Sequence, residues 1–305
     1  MDQYDVIIIG GGPGGLTAGI YASRAGLKSL LIEKEMFGGQ IVKTTSLDNY
    51  PGFPDGIAGY DLIDLMLKQT EKYGLETKLA EVTALKPGDI HEVTTSEGPL
   101  AAKSVIIAAG ADYVKMGMEK EEAMVGRGIS YCATCDGFFF ANRKVAVIGG
   151  GDTAITDALE LAKHASVVNI IHRRDQLRAD PSLQKKAFDD PKINFVWDSV
   201  VADILGDNMV SGLKLRNVKT DQLSDLEVDG VFVAIGVKPN SQHFTGVIDI
   251  DEAGYIVVDQ LMTTSVPGIY AIGDIRKNSS RQVATAVGDG ATAAINAFKY
   301  IQEKG

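Results

Sequence analysis

The apolar pattern opens with a short β-branched run, Val6-Ile7-Ile8-Ile9, that stops at Gly10-Gly11-Gly12-Pro13-Gly14-Gly15. It predicts a strand, a glycine-rich turn, a small apolar helix through Leu16 to Ala22, and a second strand over Ser29 to Ile32. The same order returns farther on. Val145 to Ile148 leads into Gly149-Gly150-Gly151-Asp152-Thr153-Ala154, followed by a predicted helix over Ile155 to His164 and a strand over Val167 to Ile171. The two stretches superimpose at an offset of 139, matching Gly10 to Gly149, Gly12 to Gly151 and Gly15 to Ala154. A second repeat, Ser104 to Gly110 against Gly230 to Gly236, recurs at an offset of 126. The chain therefore reads as two related βαβ-based nucleotide domains.

Each glycine turn sits between a predicted strand and a predicted helix, where a dinucleotide fingerprint needs it. The first glycine permits the tight turn, the second lets backbone approach a pyrophosphate, and the third allows close strand–helix packing. Amide N–H groups at the helix start then face the phosphates. The bland alternative is glycine kept for packing alone. The two copies differ at the end of their second strands. Glu33 is suited to accept ribose hydroxyls, whereas His172 is followed by Arg173, Arg174 and Arg178, the pattern that accommodates a 2′-phosphate. The first site reads as FAD or NAD and the second as NADPH, unless the arginines form only a solvated turn.

The 305 residues are 45% hydrophobic and 23% charged, a balance that fits about two globular domains. Thirty basic against forty acidic side chains, with no Lys/Arg-rich run, argue against nucleic acid or an anionic membrane as partner. The acidic N-terminus and four-residue apolar run resemble neither a secretory signal nor a span, so a cytoplasmic protein is expected.

Cys132 and Cys135 are the two cysteines of the chain. Zinc would require two histidines as well, and His91, His164, His172 and His243 offer no ligand spacing, so no metal is expected. The pair is an inert structural dithiol or a redox pair, for which C-x-x-C supplies a small disulfide ring and Asp136 an adjacent proton carrier. Phe138 to Phe140 are core residues, or in part a partner-facing surface.

In this order, the segments Gly10 to Gly15, Gly38-Gly39-Gln40, Asn49-Tyr50-Pro51-Gly52, Cys132 to Asp136, Gly149 to Ala154, His172 to Arg178, Gly273-Asp274 and Arg281-Gln282 resemble one family. It is the low-molecular-weight, bacterial or archaeal-type thioredoxin reductases, homodimeric FAD enzymes, and the resemblance runs along nearly the whole chain. It implies an α/β fold of two Rossmann-like, three-layer ββα domains, with an NADPH domain at 116–242 inserted into an FAD domain at 1–115 and 243–305. Hinges for rotation of one domain against the other are expected near 113–117 and 240–245.

The resemblance assigns FAD to Gly10, Gly12, Pro13, Gly14, Gly15, Glu33, Lys34, Gly39, Gln40, Asn49, Val82, Ala109, Gly110, Asp274, Arg281, Gln282 and Val283. It assigns NADPH to Gly149, Gly151, Asp152, Thr153, Ala154, His172, Arg173, Arg174, Arg178, Ile235 and Gly236. It makes Cys135 the thiol beside the flavin, Cys132 the one that attacks thioredoxin, and Asp136 the general acid. Arg127 and Phe138 to Phe140 are candidates for contacting that partner. Two departures stand out: Thr156-Asp157 replaces two successive acids, and Met116 to Glu119 lacks a proline common in the family.

Three rivals are weighed against this reading. A peroxide-system flavoprotein usually carries an extra N-terminal redox domain, whereas Val6 starts the FAD unit almost at once. A ferredoxin-driven reductase should have lost the NADPH signature. A non-catalytic flavin- and nucleotide-binding redox sensor would not turn over a dithiol substrate.

Overall fold

A computed structural model describes residues 2–44 and 46–304, with Lys43 described by its backbone only. Met1, Thr45 and Gly305, inside the stretches expected to form the FAD domain, lie outside the described residues. The chain divides into two compact units, Met1–Asp112 with Lys238–Gly305, and Tyr113–Val237. The return into the first unit comes at Lys238 rather than at 243 because Asn240 is already bonded there. Its backbone N–H donates to the Gly110 carbonyl at 3.1 Å and its Nδ2 to the Ala109 carbonyl at 3.0 Å.

In the first unit five strands run parallel in the order Glu76–Leu79, Ser29–Glu33, Gln3–Ile9, Gly98–Ile107, Ile269–Ala271. The early half of Gly98–Ile107 also pairs antiparallel with His91–Thr95, which pairs with Val82–Lys86 to make a meander. Side chains alternate across the pleat of Gln3–Ile9. Val6 and Ile8 enter the core shared with the helices Pro13–Arg24 and Val283–Lys304, while Ile7 and Ile9 enter the core under the meander. Both faces are covered, which is why the strand reads as an unbroken apolar run. The Ala- and Gly-rich composition of Val283–Lys304 has a packing cause, since a Cβ on Gly290 would strike the Gly14 carbonyl oxygen of the first helix.

The second unit repeats the design. Its parallel strands run Ile193–Val196, Val167–Ile171, Lys144–Ile148, Gly230–Val233, Ile129–Ser130, beside a meander of Ser199–Leu205, Gly212–Asn217 and Leu223–Glu227. Val145 and Val147 pack under the helix Asp152–Ala162, and Ala146 and Ile148 pack under the meander. The offset of 139 thus preserves the face as well as the element, and each unit is a Rossmann-like, three-layer ββα domain. One strand breaks the order. The fifth strand is last in the chain in the first unit but first in the second. The two are equivalent in bonding, since Val105 N donates to Gly268 O at 3.0 Å and Val231 N to Gly128 O at 2.7 Å.

Among the described residues no helix is long and apolar enough to cross a membrane.

Candidate functional site

Most of the candidate residues follow the carboxyl ends of the parallel strands, where α/β sheets hold their ligands. In the first unit the turn after Gln3–Ile9 separates two kinds of glycine. Gly10 has φ +109°, and a Cβ there would strike the Ala108 carbonyl oxygen. A Cβ on Gly15 would strike the Gly10 carbonyl oxygen. Protein packing explains both. Gly12 is different: its φ of −72° suits any residue, and a Cβ there meets no protein atom within 4 Å. It caps the helix Pro13–Arg24 without any side-chain bond to the first-turn amides. Open space coincides with the start of a helix, as a pyrophosphate needs.

Glu33 stands at the end of the second strand with its carboxylate held by backbone. Oε2 accepts from Gly11 N at 2.7 Å, and Oε1 accepts from Lys34 N at 2.7 Å and Glu35 N at 3.1 Å. A carboxylate has about four lone-pair positions, so capacity for ribose hydroxyls remains. The loop carrying Gly39 lies over this turn through Gly38 N to Gly11 O at 2.8 Å. Gln40 instead donates to Asp112 Oδ1 at 2.7 Å. Asn49 and Gln282 meet across the chain, Nδ2 to Oε1 at 3.1 Å. Lys34 is exposed near Glu35 and Glu81, and Val82 is buried in the meander core. Ala109 and Gly110 end the Gly98–Ile107 segment and receive Asn240.

Asp274 lies in the turn Gly273–Ile275 after the fifth strand. Burial pushes its carboxyl above the usual carboxylate range, against the weaker effects of the Ser279 hydroxyl at 3.4 Å and Arg281. The turn is clamped to Val283–Lys304 by Asp289, which accepts from Gly273 N at 3.0 Å and pairs with Arg276 Nε at 2.6 Å and Nη2 at 3.1 Å. Nothing in the sequence reading had marked Asp289 or Arg276. Arg281 holds a left-handed φ of +53°, and Val283 opens the last helix.

The turn of the second unit copies the first. A Cβ on Gly149 would strike the Ala234 carbonyl oxygen, and Gly151, with φ −101°, has nothing within 4 Å of a Cβ. Ala154 is fully buried, Asp152 and Thr153 are exposed at the helix start, and Ile235 and Gly236 are exposed beyond Gly230–Val233. His172 occupies the place of Glu33 but not its environment. Its ring fills the space above Gly150, its exposure is 5%, and its Nε2 has no partner among the described residues. Burial, then the neighbouring arginines, push its pKa down against the opposing backbone hydrogen bond at Gln176, a net shift that favours the neutral ring.

Arg173, Arg174 and Arg178 are exposed and line an open pocket of about 320 Å³ that also includes Asp175, Asp198 and Lys219. Lys219 Nζ pairs with both acids, at 2.9 Å each. No ion pair engages the three guanidinium groups among the described residues. Lys219 thus masks the negative charge and leaves a cationic pocket for an anion. Its position, far along the chain in a β-turn, carried no sequence signal.

The cysteines follow the fifth strand, Ile129–Ser130. Cys132 and Cys135 form a disulfide with Cα atoms 5.3 Å apart, and the helical turn Ala133–Asp136 holds them. In this state neither sulfur is a metal ligand. Ser130 Oγ accepts from Cys132 N at 3.0 Å and donates to Asp136 Oδ2 at 2.5 Å. Tyr131, stacked on Tyr113 with centroids 5.0 Å apart, donates to buried Glu121 at 2.7 Å. Of the aromatic run, Phe140 packs on Phe232, whereas Phe138 and Phe139 are 70% and 48% exposed.

Residues 4–290 of the chain match the family Pyridine nucleotide-disulphide oxidoreductase. The chain belongs to this family. Within it, the chain is 48% identical over 304 residues to the thioredoxin reductase of Streptomyces coelicolor, covering 98% of this chain and 94% of that one. Identity to the Listeria monocytogenes thioredoxin reductase is 46% over 302 residues, with the same coverage. The crystal structure of thioredoxin reductase from Streptococcus pyogenes superimposes with a TM-score of 0.96 at 43% identity, covering 99% of both chains. The cysteine-bearing member is thus set among the thioredoxin reductases of the family.

Proposed function

We propose that this oxidoreductase passes electrons from NADPH through FAD and the Cys132–Cys135 disulfide to thioredoxin. The observation that carries the reading is the disulfide itself, set at the carboxyl end of a strand and bonded through Ser130 to a carboxylate. The open turn at Gly12, the held Glu33, the Asn49–Gln282 pair and buried Asp274 would hold FAD. The open turn at Gly151 and the unpaired arginines would hold NADPH by its pyrophosphate and 2′-phosphate. Bound FAD supplies two-electron transfer between the nicotinamide and the disulfide.

The dithiol then works by exchange. Cys132 as thiolate attacks one sulfur of the thioredoxin disulfide, and Asp136 gives its proton to the departing thiolate. Cys135 passes its proton to Asp136 and attacks Cys132 Sγ, which re-forms the Cys132–Cys135 bond and expels the second thiolate. That thiolate takes the proton from Asp136. Two electrons and two protons have moved, and Asp136 ends as a carboxylate. Exposed Phe138, Phe139 and Arg127 are the side chains available to contact thioredoxin. A cytoplasmic homodimer, with no nucleic acid or membrane partner, completes the reading. A ferredoxin-driven enzyme would leave the arginine pocket without a ligand.

The test is thioredoxin-dependent disulfide reduction by the FAD-loaded protein with NADPH and NADH side by side. Fast turnover with NADPH and much slower turnover with NADH is expected. Failure of both nicotinamides to reduce the flavin would overturn the reading in favour of a ferredoxin donor or a sensor.

A further inference from the structure

Ser130 is 5% exposed and ends the two-residue strand before the cysteines. Its hydroxyl touches three groups of the redox turn: Cys132 N at 3.0 Å, Cys132 O at 3.3 Å and Asp136 Oδ2 at 2.5 Å. A hydroxyl has one proton to donate. The shorter contact, to an acceptor that can carry charge, takes it, and the Cys132 amide fills a lone pair. The bonded chain therefore runs from the Cys132 backbone through Ser130 to Asp136.

We propose that Ser130 is a positioning residue for disulfide exchange: it aims the Asp136 carboxyl at the Cys132–Cys135 pair and makes it the stronger acid. This rests on the proposed role of Asp136 as proton donor. A hydrogen bond donated to a carboxylate favours the ionised form. It forms at full strength when Asp136 has delivered its proton, the state that accompanies the disulfide. Because the same Ser130 oxygen accepts from Cys132 N, the acid is tied to the backbone of the attacking residue. The proton balance of the exchange is unchanged; Ser130 keeps its own proton throughout.

The helix packed against this turn, Asp152–Ala162, brings Asp152, Asp157 and Glu160. Asp152 accepts from Asp180 N and Glu160 pairs with Lys163. His164 meets Phe138, and the two thiols titrate as well. All of these act equally on the parent and the variants, so the difference between them reports Ser130.

The experiment follows thioredoxin reduction by the FAD-loaded protein across pH for Ser130→Ala, Ser130→Thr, Asp136→Asn and the Ser130→Ala/Asp136→Asn double variant. Flavin absorbance and thermal melting verify that each is folded. Ser130→Ala is expected to slow turnover about tenfold and move the limb that requires protonated Asp136 up by about one pH unit. Ser130→Thr, which keeps the hydroxyl, restores most of both. In the Asp136→Asn background the second change has no further effect. A Ser130→Ala effect that persists there, or an unshifted profile beside a slow Asp136→Asn, overturns the positioning role. Unimpaired Asp136→Asn instead removes the proposed acid itself, a failure of the mechanism on which this inference stands.

Discussion

The backbone N–H of Arg178 donates to the carbonyl oxygen of Gly150 at 2.7 Å. That one bond ties the arginine loop to the glycine turn, joining the groups suited to a 2′-phosphate to those suited to a pyrophosphate. A second tie lies beside it, from Asp180 N to Asp152 Oδ1 at 2.6 Å. Asp152 thus braces the loop, and its charge is engaged before any phosphate arrives.

Replacing Arg173, Arg174 or Arg178 by Ala should each lower kcat/KM for NADPH by about tenfold or more while changing that for NADH little. The magnitude is that of a charge-assisted hydrogen bond of about 1.5–3 kcal/mol. Asp152→Ala should lower the same preference by a smaller factor. The single tryptophan, Trp197, has its ring centroid 6.5 Å from that of His172 and gives an independent fluorescence titration with NADP⁺. Equal losses for both nicotinamides would show that the arginines do not read the 2′-phosphate.

Gly12→Ala and Gly10→Ala should part company. The first meets no protein atom and should leave the melting of the flavin-free protein unchanged while weakening FAD retention. The second forces a clash with Ala108 at a positive φ and should cost stability outright. Melting and flavin content measured together separate the cases; a flavin-replete Gly12→Ala protein would argue against phosphate at that turn.

Asp289→Ala should destabilise the protein by about 3–5 kcal/mol, since it leaves the half-buried guanidinium of Arg276 uncompensated. It should also release flavin, because Gly273 N loses its acceptor next to Asp274. An apolar pair replacing both Arg276 and Asp289 should be less harmful to stability than either single change. Urea unfolding of the three variants checks the order.

Acid should weaken the first unit through His91. Burial, then Lys304, push its pKa below the ordinary 6.5. The unfolded chain therefore takes up the proton first, so stability present above about pH 6.5 is lost as pH falls toward the lower folded value. His91→Gln should flatten this limb. Unfolding free energies at pH 7.5 and 5.5 provide the measurement, and an unchanged slope would falsify the assignment.

Much of the candidate site was legible because its chemistry is local. Gly10 and Gly149 mark turns that need a positive φ, and Cys132, Cys135 and the arginine run are recognisable by spacing alone. Glu33 and His172 show where that legibility stops. They share a position, yet three backbone amides hold one while the other is buried against Gly150. Lys219 and Ser130 went unseen because their partners, Asp198 and Asp136, give them meaning only in space.

The sequence by itself determined the duplication, the two strand–turn–helix units and the C-x-x-C pair, since hydrophobic period, turn glycines and side-chain spacing all act over a few residues. Tertiary structure decided what completes each sheet. Ile269–Ala271 comes from the end of the chain and Ile129–Ser130 from before its own glycine turn, yet both take the fifth place. Strands of three and two residues have no period to read. Their place is set by backbone hydrogen bonds to Gly98–Ile107 and Gly230–Val233, partners far away in the chain, and in the second unit that pairing delivers the cysteines to the carboxyl end of the sheet.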